Sequence, residues 1–85
     1  MKLIFSPKAS RQIRKLTLII RKKLYKQASI LLINPRYPSL RTKKMTGEDK
    51  FEARIDYHYR FTYKIENEEI WILNIGPHDE GLGKK

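Results

Sequence analysis

The chain has 85 residues, of which 19 are Lys or Arg and 9 are Asp or Glu, for a formal net charge of +10. That length suits one domain, residues 1–85, able to bury only about 60–65% of its unfolded surface, which excludes large multi-step enzymes. There is no cysteine, hence no disulfide, thiolate nucleophile or thiolate zinc site, and no apolar run long enough to cross a bilayer.

Leu3 to Phe5 is a short apolar run followed at once by Ser6-Pro7, an N-cap and a first helical position, so a strand feeds a helix. Further on, Leu16, Ile20, Leu24, Ala28 and Leu31 recur every three or four positions. Arg21, Lys22, Lys23 and Lys26 fall between them, which describes an amphipathic helix with a basic outer face. It ends at Asn34-Pro35. Pro7 to Ile33 reads either as one rod of about 40 Å or as a more compact helical hairpin broken near Thr17.

Asn34 to Lys50 carries two prolines, a glycine and the cations Arg41, Lys43 and Lys44, and it reads as a loop. The period then changes to two. Phe51, Ala53 and Ile55 alternate with Glu52, Arg54 and Asp56, and Tyr57 to Ile65 alternate with His58, Arg60, Thr62 and Lys64. A tight loop at Tyr57 to Tyr59 would set Glu52 against Lys64, Arg54 against Thr62 and Asp56 against Arg60. Asn67-Glu68 centres the next turn. Ile70 to Ile75 is apolar on both faces, which suits a central strand and sets Arg60 across from Ile75. Gly76-Pro77 ends that strand before His78-Asp79-Glu80. The expected fold is α+β, with an N-terminal strand and helical hairpin packed on a small antiparallel β-sheet.

Charge is divided along the chain. Met1 to Gly47 holds 13 basic residues and no acid, whereas Glu48 to Lys85 holds six basic and nine acidic residues. The first part is a polycation whose natural partner is polyanionic: nucleic acid, a ribosome or an acidic protein. With no signal peptide ahead of Leu3, the expected compartment is the cytoplasm. No His, Asp and Glu spacing suits a metal, no glycine-rich phosphate loop is present, and no cofactor is expected.

What remains is a set of cations and a histidine: Arg54 and Arg60 on adjacent strands, Arg41, Lys43 and Lys44 in the loop before them, and His78 beyond the last strand. Those groups suit RNA cleavage by attack of a ribose 2′-hydroxyl on the neighbouring phosphate, which needs a proton acceptor, a proton donor and cations on the phosphate. Histidine titrates near neutrality, and arginine grips phosphate through paired N–H groups. The alternative readings are structural: Arg60 paired with Asp56, Arg54 with Glu52 or solvent, and Lys22, Lys23 and Lys26 a solvated helix face. The tyrosines fit core packing, with Tyr57 and His58 in the turn best placed to do otherwise.

In order, Ser6-Pro7, the helical segment, Pro38 to Gly47, Phe51-Glu52-Ala53-Arg54, Tyr59-Arg60-Phe61-Thr62-Tyr63 and Ile75-Gly76-Pro77-His78-Asp79-Glu80 resemble the RelE/ParE superfamily of toxins from type II toxin–antitoxin modules. The resemblance covers nearly the whole chain, and the Tyr-Arg-x-x-Tyr strand is among its most specific parts. It implies a ribosome-dependent mRNA endoribonuclease that inhibits translation. Arg60 and Arg54 would be its phosphate-binding arginines, and His78 would stand where YoeB- and YafQ-like members carry a catalytic histidine. Lys22, Lys23, Lys26, Arg41, Lys43 and Lys44 would dock mRNA and rRNA, and a cognate antitoxin would be the protein partner. Two departures matter: no tyrosine follows His78, and Glu52 stands where RelE has a second lysine, which leaves His78, Glu48 and Glu52 as candidate bases. The alternatives are a ParE-like inhibitor of DNA gyrase and an inactive module that only binds its antitoxin.

Overall fold

The computed structural model describes residues 1–47 and 49–77. The elements run β1 (Lys2–Phe5), α1 (Pro7–Ile13), α2 (Leu18–Ile33), a single 3₁₀ turn at Pro38–Leu40, β2 (Lys43–Lys44), β3 (Phe51–Arg54), β4 (Tyr59–Glu66) and β5 (Glu69–Pro77).

Local chemistry accounts for the helix starts. The Ser6 hydroxyl accepts a hydrogen bond from Ala9 N at 3.0 Å, with Pro7 in the first turn. The helical segment is a hairpin: α1 stops at Ile13, and Thr17 caps α2 by accepting from Ile20 N at 3.2 Å. Its buried stripe is Leu24, Gln27, Ala28 and Leu31, one polar residue among three apolar ones.

The strands form one five-stranded sheet in the order β1-β5-β4-β3-β2. Its antiparallel character holds for β2 to β5, but β1 lies parallel to β5, with Leu3 opposite Ile70 and Phe5 opposite Ile72, so the sheet is mixed. The connection from β1 to β5 runs through both helices and then β2, β3 and β4, with the helical hairpin carrying the chain from one edge of the sheet to the other, and a parallel pair needs such a long connection. Where β1 stops, α1 takes over the exposed edge of β5. Gln12 Oε1 accepts from Ile75 N at 2.6 Å, and Gln12 Nε2 donates to Asn74 Oδ1 at 2.7 Å.

Two registers differ from the sequence-based expectation. In β3–β4, Arg54 faces Arg60, Glu52 faces Thr62 and Phe51 faces Tyr63. The turn is longer than expected because Asp56 stays out of the ladder: its Oδ1 accepts from His58 N and Tyr59 N, both at 2.9 Å. The slip is two residues, so every side chain keeps its face. In β4–β5 the ladder shifts between Thr62 and Tyr63, leaving Arg60 opposite Gly76 rather than Ile75. The unpaired residue is Leu73, whose carbonyl accepts the Ser6 hydroxyl at 3.1 Å, so docking of α1 goes with the bulge.

The Asn67-Glu68 turn is as expected. Both residues are left-handed, with φ of 52° and 62°, as a two-residue hairpin of matching twist requires. The segment 34–50 is not all loop, since Lys43 and Lys44 pair with Glu52 and Phe51 as an edge strand.

The core lies between the helices and one face of the sheet. Ala9, Leu24 and Leu31 meet Ala53, Phe61, Tyr63, Ile70, Ile72 and Ile75 there, with Leu40 from the 3₁₀ turn. Phe51 stacks on Tyr63 with ring centroids 5.4 Å apart. On the opposite face the register sets Lys43, Glu52, Arg54, Arg60, Thr62 and Lys64.

Candidate nucleic-acid interface

Two arginines directly opposed on neighbouring strands are locally unfavourable, yet Arg54 and Arg60 hold that relation. Burial and the charge of Arg54 pull the Arg60 guanidinium below its ordinary pKa. Glu52 and Asp56 push it back up, and Arg41 pulls it down again. Arg60 remains a cation at any physiological pH. Burial is the largest cause of the downward shift, and the neighbouring charges of both signs act on top of it.

Arg60 also holds the turn beside it. Its Nη1 donates to the carbonyls of Asp56 at 2.7 Å, Tyr57 at 3.1 Å and Tyr59 at 3.1 Å. The expected Arg60–Asp56 pairing is therefore to the main chain and not to the carboxylate. That carboxylate instead caps turn amides and meets Lys23 Nζ at 3.5 Å. Burial raises the Asp56 pKa, but the Tyr59 and His58 amides and Lys23 outweigh it, so the net shift is below the ordinary carboxylate value. Arg54 differs from Arg60 in that its Nε is buried and has no hydrogen-bond partner, a state natural folds rarely leave unanswered.

Beside this pair a cleft of about 580 Å³ opens between α2 and the 3₁₀ turn, lined by Lys23, Lys26, Gln27, Pro38, Ser39, Arg41, Arg54, Ile55 and Asp56. Four cations and one acid share it. Arg41 enters with φ 47° and ψ 47°, a left-handed conformation that costs a non-glycine residue about 1 kcal/mol and that surrounding contacts must impose. The Ser39 carbonyl and the Arg54 carbonyl both accept from Gln27 Nε2, at 3.1 and 2.8 Å.

Arg54, Arg41, Lys23 and Lys26 thus come together, with Arg60 alongside. Lys22 is exposed on α2 and does not line the cleft. Lys43 and Lys44 are adjacent on β2 and alternate between faces: Lys43 shares the face of its partner Glu52, and Lys44 the face of Phe51. His78 and Glu48 lie outside the described residues, as do Asp79 and Glu80. Glu52 is buried, 8% exposed, two residues before Arg54 on β3 and on the same face of the strand. Among the described residues no three His, Cys, Asp or Glu side chains gather as a metal site, and no helix is long and apolar enough to cross a membrane.

Sequence reasoning missed Gln27 and the turn-capping role of Asp56. The signal for Gln27 was a polar residue at the position where the Leu24, Ala28, Leu31 stripe calls for an apolar one.

No family model and no curated protein matches the chain in sequence. Solved structures do. The fold is similar to a toxin–antitoxin RelBE complex from Mycobacterium tuberculosis at 26% identity and TM-score 0.75, covering 91% of this chain and 96% of that one. It is similar to the Escherichia coli RelBE complex at 24% identity and TM-score 0.74, covering 93% and 98%. A YoeB/ParE toxin from Agrobacterium tumefaciens superposes at TM-score 0.80 with 14% identity, covering 92% and 99%. The architecture is that of a small α+β protein with a cationic cleft at one end of its sheet. The fold is the one that these RelE and YoeB/ParE toxin structures have, in agreement with the resemblance carried by the Tyr59-Arg60-Phe61-Thr62-Tyr63 strand and the Ser6-Pro7 helix start.

Proposed function

We propose that residues 1–85 form a single toxin domain of a type II toxin–antitoxin module that cleaves mRNA on the ribosome and so inhibits translation. The observation that carries this reading is the convergence of Lys23, Lys26, Arg41 and Arg54 on one cleft, with Arg60 set against Arg54, in a fold shared with RelE and YoeB toxins. Four cations against a single acid suit a phosphodiester backbone, and arginines suit the phosphate that gains charge in the transition state.

In the proposed reaction a ribose 2′-oxygen bonds to the adjacent phosphorus while the bond from phosphorus to the 5′-oxygen breaks. The products are a 2′,3′-cyclic phosphate and a 5′-hydroxyl. Arg54 and Arg60 steady the phosphate oxygens, and His78 transfers a proton to or from one of the two ribose oxygens. No metal or organic cofactor is assigned a role. Lys22, Lys43 and Lys44 add to the positive surface that attracts rRNA and mRNA in the cytoplasm.

The protein partner in this reading is a cognate antitoxin. The neighbours include a RelE–RelB complex from Pyrococcus horikoshii and a YoeB–YefM complex from Staphylococcus aureus. An acid-free stretch from Met1 to Gly47 offers an acidic segment a complementary surface.

The test is cleavage of a defined mRNA on programmed ribosomes. Wild-type protein should cut in the A site, and an Arg60→Ala, His78→Ala double variant should lose the cut. A fully active double variant, or intact mRNA accompanied by gyrase-dependent DNA breaks, would overturn the proposal.

A further inference from the structure

Gln27 occupies a position that a stability argument would assign to an apolar residue. It is 6% exposed, on the helix stripe that also buries Leu24, Ala28 and Leu31. A primary amide there is costly unless every part of it is bonded. Each part is bonded, and all the partners line the cationic cleft. Nε2 donates to the Arg54 carbonyl at 2.8 Å and to the Ser39 carbonyl at 3.1 Å, while Oε1 accepts from the Ser39 hydroxyl at 3.3 Å.

Those partners are the supports of the cleft's cations. Arg54 is the last residue of β3, and its Nε is buried without a partner. Ser39 lies in the 3₁₀ turn two residues before Arg41, whose left-handed backbone needs its surroundings to hold it. Lys23 and Lys26 sit on the same helix as Gln27, four residues and one residue before it. One amide therefore ties a helix, a turn and a strand end, each of which contributes a cation to the same cleft.

We propose that Gln27 is a positioning residue for phosphate binding: it sets the spacing between Arg54, Arg41 and the two α2 lysines so that they engage one single-stranded RNA backbone together. This rests on the reading of the cleft as an RNA site. Gln27 itself contacts no RNA. Its loss should lower the number of phosphates engaged at once, because cations that no longer converge bind as independent surface charges.

Salt dependence of affinity reads that number directly, since each phosphate neutralised on a single strand adds about 0.7 to the slope of log K against log salt. The experiment is fluorescence anisotropy of a labelled, unstructured RNA dodecamer with the full chain, from low to physiological salt. Gln27→Met, which keeps length and helix propensity, should weaken binding about tenfold at low salt and lower the slope by the equivalent of one to two phosphates. Gln27→Asn keeps the amide but falls short of both carbonyls, and should act in the same direction if the Met variant folds poorly.

The control is Gln12→Met. Gln12 is also a bridging amide, but it ties α1 to β5 at Asn74 and Ile75, away from the cleft. It should lower the melting temperature and leave the slope intact. Equal slopes for wild type and the Gln27 variants, or equal weakening by the Gln12 and Gln27 variants, would reduce Gln27 to a structural amide and overturn the inference. Arg54→Ala and Lys26→Ala tell that failure apart from failure of the site: if both bind RNA as wild type does, the cleft is not where RNA binds and both readings fall.

Discussion

The two faces of the sheet differ in what they contribute, although they alternate residue by residue along the same strands. Toward the helices, β3 and β4 present Ala53, Phe61 and Tyr63, none more than 1% exposed. Away from them the same strands present Glu52, Arg54, Arg60 and Lys64. The first face follows the ordinary rule that apolar area leaves water. The second breaks a local rule by opposing Arg54 to Arg60. Such a departure is expected where binding sets the requirement and stability does not. Because strand side chains have a period of two, a one-residue slip would exchange the faces and destroy both properties together.

The largest effect should come from the covered face. Phe61→Ala removes a fully buried ring at a cost of about 3–5 kcal/mol, comparable with the whole stability of many small domains. Thermal unfolding should show the transition lost or lowered by well over 10 °C. Arg54→Ala, on the open face, should do the reverse. Cleavage of ribosome-bound mRNA should fall about 100-fold, in the range of losing one transition-state donor. The unfolding free energy should stay within about 0.5 kcal/mol of wild type. A large loss of stability in Arg54→Ala would break the division between the faces.

Arg60→Ala sharpens it, because this side chain belongs to both accounts. The Asp56 and Tyr57 carbonyls of the β3–β4 turn lose the Arg60 donor, while Tyr59 keeps the Ile55 amide, so about 1–2 kcal/mol of stability should go with the activity. Denaturant unfolding beside the cleavage assay would show the two losses together. Away from both faces, Glu68 holds φ 62° in the β4–β5 turn. Glu68→Gly should therefore stabilise the protein by about 0.5–1 kcal/mol without changing cleavage.

The smallest effect is that of pH. The folded-state pKa of Asp56 lies below its ordinary value of 3.8. Its contribution is fully present above the unfolded value and is lost as pH falls through the folded one. An acid titration followed by circular dichroism should show Asp56→Asn less stable than wild type at neutral pH, with the gap closing below about pH 4.

Much of the fold was legible because its determinants are local. Ser6-Pro7 and Thr17 each supply a helix start from their own side chains. The alternation of Phe51 to Ile65 assigns each residue to a face whatever the register, and Asn67-Glu68 occupies the turn as read. Arg54, Arg41, Lys23 and Lys26 could be chosen as candidates from charge and pattern alone. That they share one cleft could not, since it depends on where α2 crosses the end of β3. The registers of β3–β4 and β4–β5 were misread for a related reason. The Asp56 carboxylate had a better partner in turn amides than across the ladder, and the bulge at Leu73 accompanies a helix docked from 67 residues away.

What the sequence determined by itself is the inventory: a polycationic first half, a period-two second half, two capped helices, and an arginine on each of two adjacent strands. These follow from side-chain chemistry acting over a few residues. Tertiary structure alone decided that β1 joins the sheet in parallel, that Arg54 meets Arg60, and that Gln27 ties three segments around the cleft. Each of these depends on contacts between residues far apart in the chain, whose geometry exists only once the helices have packed on the sheet.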